Sequence, residues 1–318
     1  MSETILNFLP LTTEQQQRFD TTAQGHTQLY FGDSSYGTGA DVPEAVLEQA
    51  SVIIGNPPRE LIRRAKALRW LQTSSAGVNA YTAPGILPEG CILSSASGAY
   101  GISVAEHMFA MLLSLMKRLP AYRDQQFGGV WQDLGPARTL HNARVLCVGT
   151  GDLGSTFAKY CQALGAHTIG LRRDASKAAE GIAEMHSMSR LDELLPLADV
   201  VALNVPEEPD TINLFDRSRL ERMKPDAILL NGGRGSAIDC EALADVLATG
   251  HLWGAALDVT APEPLSADHK LWQQSRAIIT PHSAGGDHLD LTLTRIVEIA
   301  LDNLGRYLAG ETLRNRMR

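Results

Sequence analysis

The chain has 318 residues, 44% of them apolar and 20% charged, with a formal net charge of -8. That length exceeds what a single core usually fills, so two domains are expected, and the composition excludes a disordered chain. The mild acidity gives no general attraction to nucleic acid or anionic lipid, while leaving room for a local basic pocket.

In chain order, Met1 to Arg18 lacks a basic region followed by an apolar run, so no secretory signal is expected. The runs Ile5 to Leu9, Gln28 to Phe31, Val52 to Gly55 and Trp70 to Gln72 read as strands. Thr12 to Thr22, Pro43 to Ala50 and Pro58 to Ala67 read as helices between them. Such alternation predicts a parallel sheet covered on both faces. Ser103 to Leu119 reads as a long helix opened by a capping box, Ser103-x-x-Glu106. Its apolar stretch, Met108 to Met116, is about half of a membrane span, so no membrane partner is expected and a cytoplasmic protein is the simplest expectation.

A second strand series starts at Arg144 to Val148. It continues through His167 to Leu171, Val200 to Val205, Ala227 to Leu230, Trp253 to Val259 and Ala277 to Thr280. Helices are expected at Leu153 to Leu164, Leu191 to Leu197, Arg217 to Met223 and Cys240 to Thr249. A final long helix, Leu289 to Leu308, follows the series. The two long helices suit connections between domains, which gives a discontinuous arrangement. Residues 1–102 and 285–318 form one domain and 103–284 the other, with a closing cleft that excludes water. Cys91, Cys147, Cys161 and Cys240 form no C-x-x-C pair or metal-ligand cluster, so buried free thiols and no metal are expected.

The chemistry concentrates at strand ends. Gly149-Thr150-Gly151-Asp152-Leu153-Gly154 directly follows an apolar strand and opens a helix, the context of a dinucleotide-binding turn. Gly149 allows the tight turn, Gly151 a close approach of backbone to pyrophosphate, and Gly154 close packing of helix on strand. An acid that would hold a ribose 2'-hydroxyl is missing at the end of the next strand, where Arg172 and Arg173 stand. Two guanidinium groups suit a 2'-phosphate, so NADP(H) is preferred over NAD; the alternative is a solvated strand end paired with Asp174.

Arg234 lies in Asn231-Gly232-Gly233-Arg234-Gly235, where its planar fork can hold a carboxylate and polarise a neighbouring carbonyl. His282 follows Thr280-Pro281 and can give a proton to a carbonyl oxygen as hydride arrives at the carbon. Glu263, between Pro262 and Pro264, can orient that ring and favour its protonated form. An isolated strand-end histidine is more often structural than catalytic, and the carboxylate changes those odds. His107 on its apolar helix, and His26, His167 and His251 beside strands, offer no comparable setting.

These residues resemble the D-isomer-specific 2-hydroxyacid dehydrogenases. The matching motifs are Gly149 to Gly154, Asn231 to Asp239, Ala256 to Val259 with Glu263-Pro264, and Pro281 to Gly285. The resemblance implies an α/β fold of two doubly wound parallel-sheet domains, a Rossmann-type cofactor domain inserted in a flavodoxin-like substrate domain. It implies that Arg234 binds substrate, Glu263 is the partner acid, His282 the proton donor, and that Asp258 contacts the nicotinamide carboxamide. In Ser75-Ala76-Gly77-Val78, similar to the family's substrate-carboxylate loop, the N–H groups of Gly77 and Val78 would bind. Asn204, Val205 and Pro206 stand in a looser version of the segment lining the nicotinamide. A homodimer built on cofactor domains and a small 2-keto acid such as glyoxylate or hydroxypyruvate are implied as partners. Two other readings stay open: a cofactor-binding sensor of the same fold that does no chemistry, and a formate- or phosphite-type dehydrogenase.

Overall fold

The computed structural model describes residues 2–32, 42–286 and 289–318. It divides into two compact units, Met1–Tyr100 with Asp287–Arg318, and Gly101–Gly286.

The first unit runs β1 (Thr4–Asn7), α1 (Thr13–Thr22), β2 (Thr27–Tyr30), α2 (Glu44–Gln49), β3 (Val52–Ile54), α3 (Arg59–Arg64), β4 (Trp70–Gln72), α4 (Asn79–Thr82) and β5 (Ile92–Ser94). Its five strands are parallel in the order β2-β1-β3-β4-β5. β3 and β4 are buried at every position, and β3 accordingly reads as a continuous apolar run rather than an alternating one. α1 begins where Thr12 caps it, accepting from the Gln15 N–H, while the Gln15 side chain accepts from the Thr12 N–H.

β5 is absent from the expected strands; it ends on the buried polar residue Ser94. The Ser94 hydroxyl accepts from Trp70 Nε1 at 2.8 Å and donates to Gln72 Oε1 at 2.7 Å. Asn303 Nδ2 reaches the same Gln72 oxygen at 2.7 Å. Each of these buried groups is therefore satisfied, as burial requires.

The second unit opens with α5 (Gly101–Met116) and α6 (Leu119–Phe127). It continues with β6 (Arg144–Val148), α7 (Asp152–Ala163), β7 (His167–Arg172), β8 (Glu184–Ser187), α8 (Leu191–Leu194), β9 (Val200–Leu203), α9 (Arg217–Arg222), β10 (Ile228–Asn231), α10 (Cys240–Ala248), β11 (Gly254–Leu257) and β12 (Ala277–Ile279). Seven parallel strands lie in the order β12-β11-β10-β9-β6-β7-β8, which reverses direction between β6 and β9. This is the doubly wound order, and ligands in such sheets bind beyond the carboxyl ends of the strands at the reversal.

α11 (Asp290–Ala309) returns to the first unit, where Ile296, Val297, Ala300 and Leu304 join Ile5, Leu9 and Trp70 in one core cluster. Each long helix thus belongs to one unit rather than serving as a connector. α5 starts two residues before Ser103, which lies buried in its first turn and so cannot be the N-cap.

All four cysteines are buried, and burial pushes the thiol of Cys91 up to about 11 and that of Cys147 up to about 12. Among the described residues no helix is long and apolar enough to cross a membrane, and no group of three acids, histidines or cysteines could hold a metal ion.

Candidate active site

The glycine turn lies where the sheet reverses. Gly149 has φ +90°, donates its N–H to the Leu171 carbonyl at 2.9 Å, and would bring a Cβ within 2.6 Å of the Asn204 carbonyl oxygen. A Cβ on Gly154 would lie 2.0 Å from the Gly149 oxygen. Those two glycines are required by the protein's own packing. Gly151 is different: it precedes α7 with φ -76°, and a Cβ there would meet nothing within 4 Å. The space in front of it, at a helix N-terminus whose N–H groups point outward, fits a pyrophosphate. Thr150 is buried, and the side chain of Asp152 packs over Gly101 of α5. The amide of Asn204 is buried with neither nitrogen nor oxygen hydrogen-bonded within the described residues, which leaves a donor and an acceptor for a bound polar group.

At the end of β7, Arg172 Nη1 donates to the Lys177 carbonyl at 3.1 Å. Arg173 forms a two-point ion pair with Glu208, at 2.7 and 3.2 Å. Asp174 takes neither arginine: its carboxylate accepts from Ser176 and lies 3.5 Å from Lys177 Nζ. The hydroxyl and N–H of Ser176 hold the Asp174 carboxyl below its ordinary range.

Three further loops leave the neighbouring strands β10, β11 and β12. After β10, the Asn231 side chain clamps the loop: its oxygen accepts from the Gly233 N–H at 3.1 Å and its nitrogen donates to the Arg234 carbonyl at 2.9 Å. Arg234 is half-buried, with Nη1 on the Gly233 carbonyl at 2.8 Å. A Cβ on Gly235 would lie 1.9 Å from the Thr260 oxygen, so the arginine loop and the glutamate loop run backbone against backbone.

In the loop after β11, the two oxygens of Glu263 have separate tasks. Oε1 accepts from the Thr260 N–H at 3.0 Å, and Oε2 lies 3.0 Å from His282 Nδ1. His282 has φ +50° and donates its N–H to the Asp258 carbonyl at 2.8 Å. With Nδ1 taken by Glu263, Nε2 is the ring nitrogen left open. Side-chain exposures of 54% and 40% make the pair worth under about 1 kcal/mol to stability, so its effect is on ring orientation.

Two residues complete the support: Asp258, which the family resemblance assigns to the nicotinamide carboxamide, and His107, which has no role in the sequence reading. The Asp258 carboxylate, 3% exposed, accepts from the Thr280 hydroxyl at 2.6 Å, the Ser283 N–H at 3.0 Å and the Ala284 N–H at 3.1 Å. It thereby fixes the turn that carries His282. His107 Nε2 lies 3.0 Å from the Thr280 hydroxyl, so its apolar helix does bring it to the site's support. Sequence spacing carries no signal for that, because the contact joins residues 173 positions apart.

The loop at Ser75–Val78 belongs to the first unit. Asn56 Oδ1 accepts from the Ser74 N–H at 3.0 Å, the Tyr100 hydroxyl donates to the Ser74 carbonyl at 2.5 Å, and the Ser75 hydroxyl donates to the Gly77 carbonyl at 2.6 Å. Among the described residues, no backbone or side-chain acceptor takes the N–H of Gly77 or Val78.

The model of the D-isomer specific 2-hydroxyacid dehydrogenase NAD binding domain matches residues 109–284. The chain belongs to this family. Within it, the chain is 31% identical over 224 residues to D-3-phosphoglycerate dehydrogenase of Mycobacterium bovis, a match spanning 70% of this chain and 40% of that one. The solved structure of a D-isomer specific 2-hydroxyacid dehydrogenase family protein from Aeromonas salmonicida superposes with TM-score 0.86 at 30% identity, covering 100% of this chain and 99% of the other. D-lactate dehydrogenase from Aquifex aeolicus, complexed with NAD and lactic acid, superposes with TM-score 0.74 at 25% identity, covering 96% of each chain. Membership makes the chain an oxidoreductase of the 2-hydroxyacid dehydrogenase type, with an NAD(P)-binding domain.

Proposed function

We propose that this protein is an NADPH-preferring reductase of small 2-keto acids of the glyoxylate or hydroxypyruvate type, forming the D-2-hydroxy acid. The observation that carries the reading is the His282–Glu263 pair, 3.0 Å apart, on a loop adjoining that of Arg234. The bound dinucleotide supplies the hydride. His282 gives the proton to the carbonyl oxygen from Nε2, while Glu263 on Nδ1 fixes the ring. Arg234 binds the substrate carboxylate and draws charge toward the carbonyl oxygen. The unclaimed N–H groups of Gly77 and Val78 support the first unit's loop as a carboxylate binder. Asn204, Val205 and Pro206 line the nicotinamide side, and the turn Gly149 to Gly154 holds the pyrophosphate. Arg172 and Arg173 favour a 2'-phosphate over the 2'-hydroxyl, so NADP is preferred to NAD.

The family resemblance implies a homodimer, and the surface supports one. Phe127 is 75% exposed and Trp131 fully so, on a segment around a cavity of about 610 Å³ lined by Tyr122 and Val130. Sedimentation of Trp131→Ser against the parent tests that assignment: a dimer should weaken to monomer, and a monomeric parent would overturn it.

The deciding experiment follows absorbance at the nicotinamide band with NADPH or NADH and glyoxylate, hydroxypyruvate, pyruvate, phenylpyruvate and formate. Faster oxidation with NADPH and a short keto acid supports the proposal. Turnover with NADH alone overturns the cofactor assignment. Cofactor reduction by formate overturns the substrate, and tight cofactor binding without turnover of any substrate replaces the enzyme with a sensor.

A further inference from the structure

β7 and β9 flank β6 on its two sides, so their carboxyl ends bracket the glycine turn. Arg173 follows β7 and Glu208 lies in the loop after β9. Their two-point ion pair, at 2.7 and 3.2 Å, therefore joins two strand ends across the turn. In doubly wound dinucleotide domains the ribose 2' position is met at the end of the second strand, which here is β7. Arg172, the other cation there, donates to a neutral carbonyl, and no carboxylate pairs with it among the described residues.

We infer that Glu208 sets the cofactor discrimination of this protein by holding Arg173 in an ion pair that a 2'-phosphate must take over and a 2'-hydroxyl need not. The inference rests on the NADPH reading and adds a residue that opposes it. The pair is exposed, 70% at the arginine and 34% at the glutamate, so it is weak enough to exchange. A phosphate carries nearly two charges and three acceptor oxygens and outcompetes a single carboxylate for the guanidinium. Once Arg173 turns to the phosphate, Glu208 is left unpaired beside a like charge. NADPH bears that cost and NADH does not. The glutamate therefore narrows the preference that the two arginines create.

The test is substrate-free fluorescence titration of NADPH and NADH with the parent, Glu208→Gln, Arg173→Gln and the double variant. It is run at about 50 mM and about 500 mM salt, since exposed charges are screened at the higher value. Glu208→Gln should tighten NADPH by about two- to five-fold at low salt, with NADH moving by less than about two-fold. The gain should shrink at high salt and fall by about half or more when Arg173 is already replaced. Unchanged NADPH affinity in Glu208→Gln, or equal shifts for both cofactors, overturns the role of Glu208. If Arg173→Gln still weakens NADPH in that case, the arginine reading survives alone. A parent that prefers NADH, with no response to Arg173→Gln, overturns the NADPH reading itself.

Discussion

Gly151→Ala separates the needs of folding from those of the cofactor at one position. A Cβ at residue 151 would meet nothing within 4 Å, and φ of -76° is ordinary for alanine. Alanine is a poorer N-cap than glycine by a few tenths to about 1 kcal/mol. The lost freedom of the unfolded chain gives back about 0.4–1 kcal/mol. These nearly cancel, so the melting temperature without ligand should move by less than about 3 °C. Binding should respond differently, because the methyl group occupies the space assigned to pyrophosphate. Loss of one charge-assisted hydrogen bond, about 1.5–3 kcal/mol, corresponds to roughly a ten- to 150-fold weaker Kd. The measurements are calorimetric unfolding without cofactor and fluorescence titration with NADPH and NADH. Gly154→Ala is the contrast: its Cβ would lie 2.0 Å from a backbone oxygen, so both stability and binding should suffer. An unchanged Kd in a well-folded Gly151→Ala protein would refute the placement of the pyrophosphate.

His282→Asn keeps a residue tolerant of the left-handed backbone at φ +50° and removes the proposed proton donor; kcat should fall by about 10²–10⁴ with cofactor Kd retained, and lost cofactor binding would make His282 structural. Arg234→Ala should raise KM and lower kcat together, as its proposed action on both carboxylate and carbonyl requires; steady-state kinetics that leave either constant untouched contradict the double role. Thr280→Val removes the 2.6 Å hydrogen bond to Asp258 and should cost about 1 kcal/mol or more in stability. It should also reduce kcat several-fold at constant cofactor affinity, and thermal unfolding with kinetics that show neither effect would remove Thr280 from the support of His282.

The strands were legible where apolar residues stood together between turn formers, as at Arg144–Val148 and Val52–Ile54. β8, with Glu184, His186 and Ser187 at the sheet's edge, offers no apolar run and was missed. β5 and α6 were missed as well. α6 follows Arg118, at φ +57°, and buries none of its residues, so it has no apolar stripe to read. At the site, the glycine turn and the loops of Arg234, Glu263 and His282 could be found because glycine and proline mark strand ends. Their support could not. His107 and Thr280 meet through tertiary packing, and the partner of Arg173 proved to be Glu208, 35 positions away, rather than adjacent Asp174.

The split of the first unit between two distant segments has a consequence for synthesis. Its core needs Ile296, Val297 and Leu304 against Trp70, and its buried Gln72 awaits Asn303, 231 positions later. The ribosome must make all of Gly101–Gly286 before that helix emerges. At ordinary elongation rates this takes roughly ten to forty seconds. Through that interval the nascent five-stranded sheet keeps an apolar face uncovered, while the later-made unit can already fold beside it. The segment made first is finished last, and its dependence on chaperones should concentrate in those seconds.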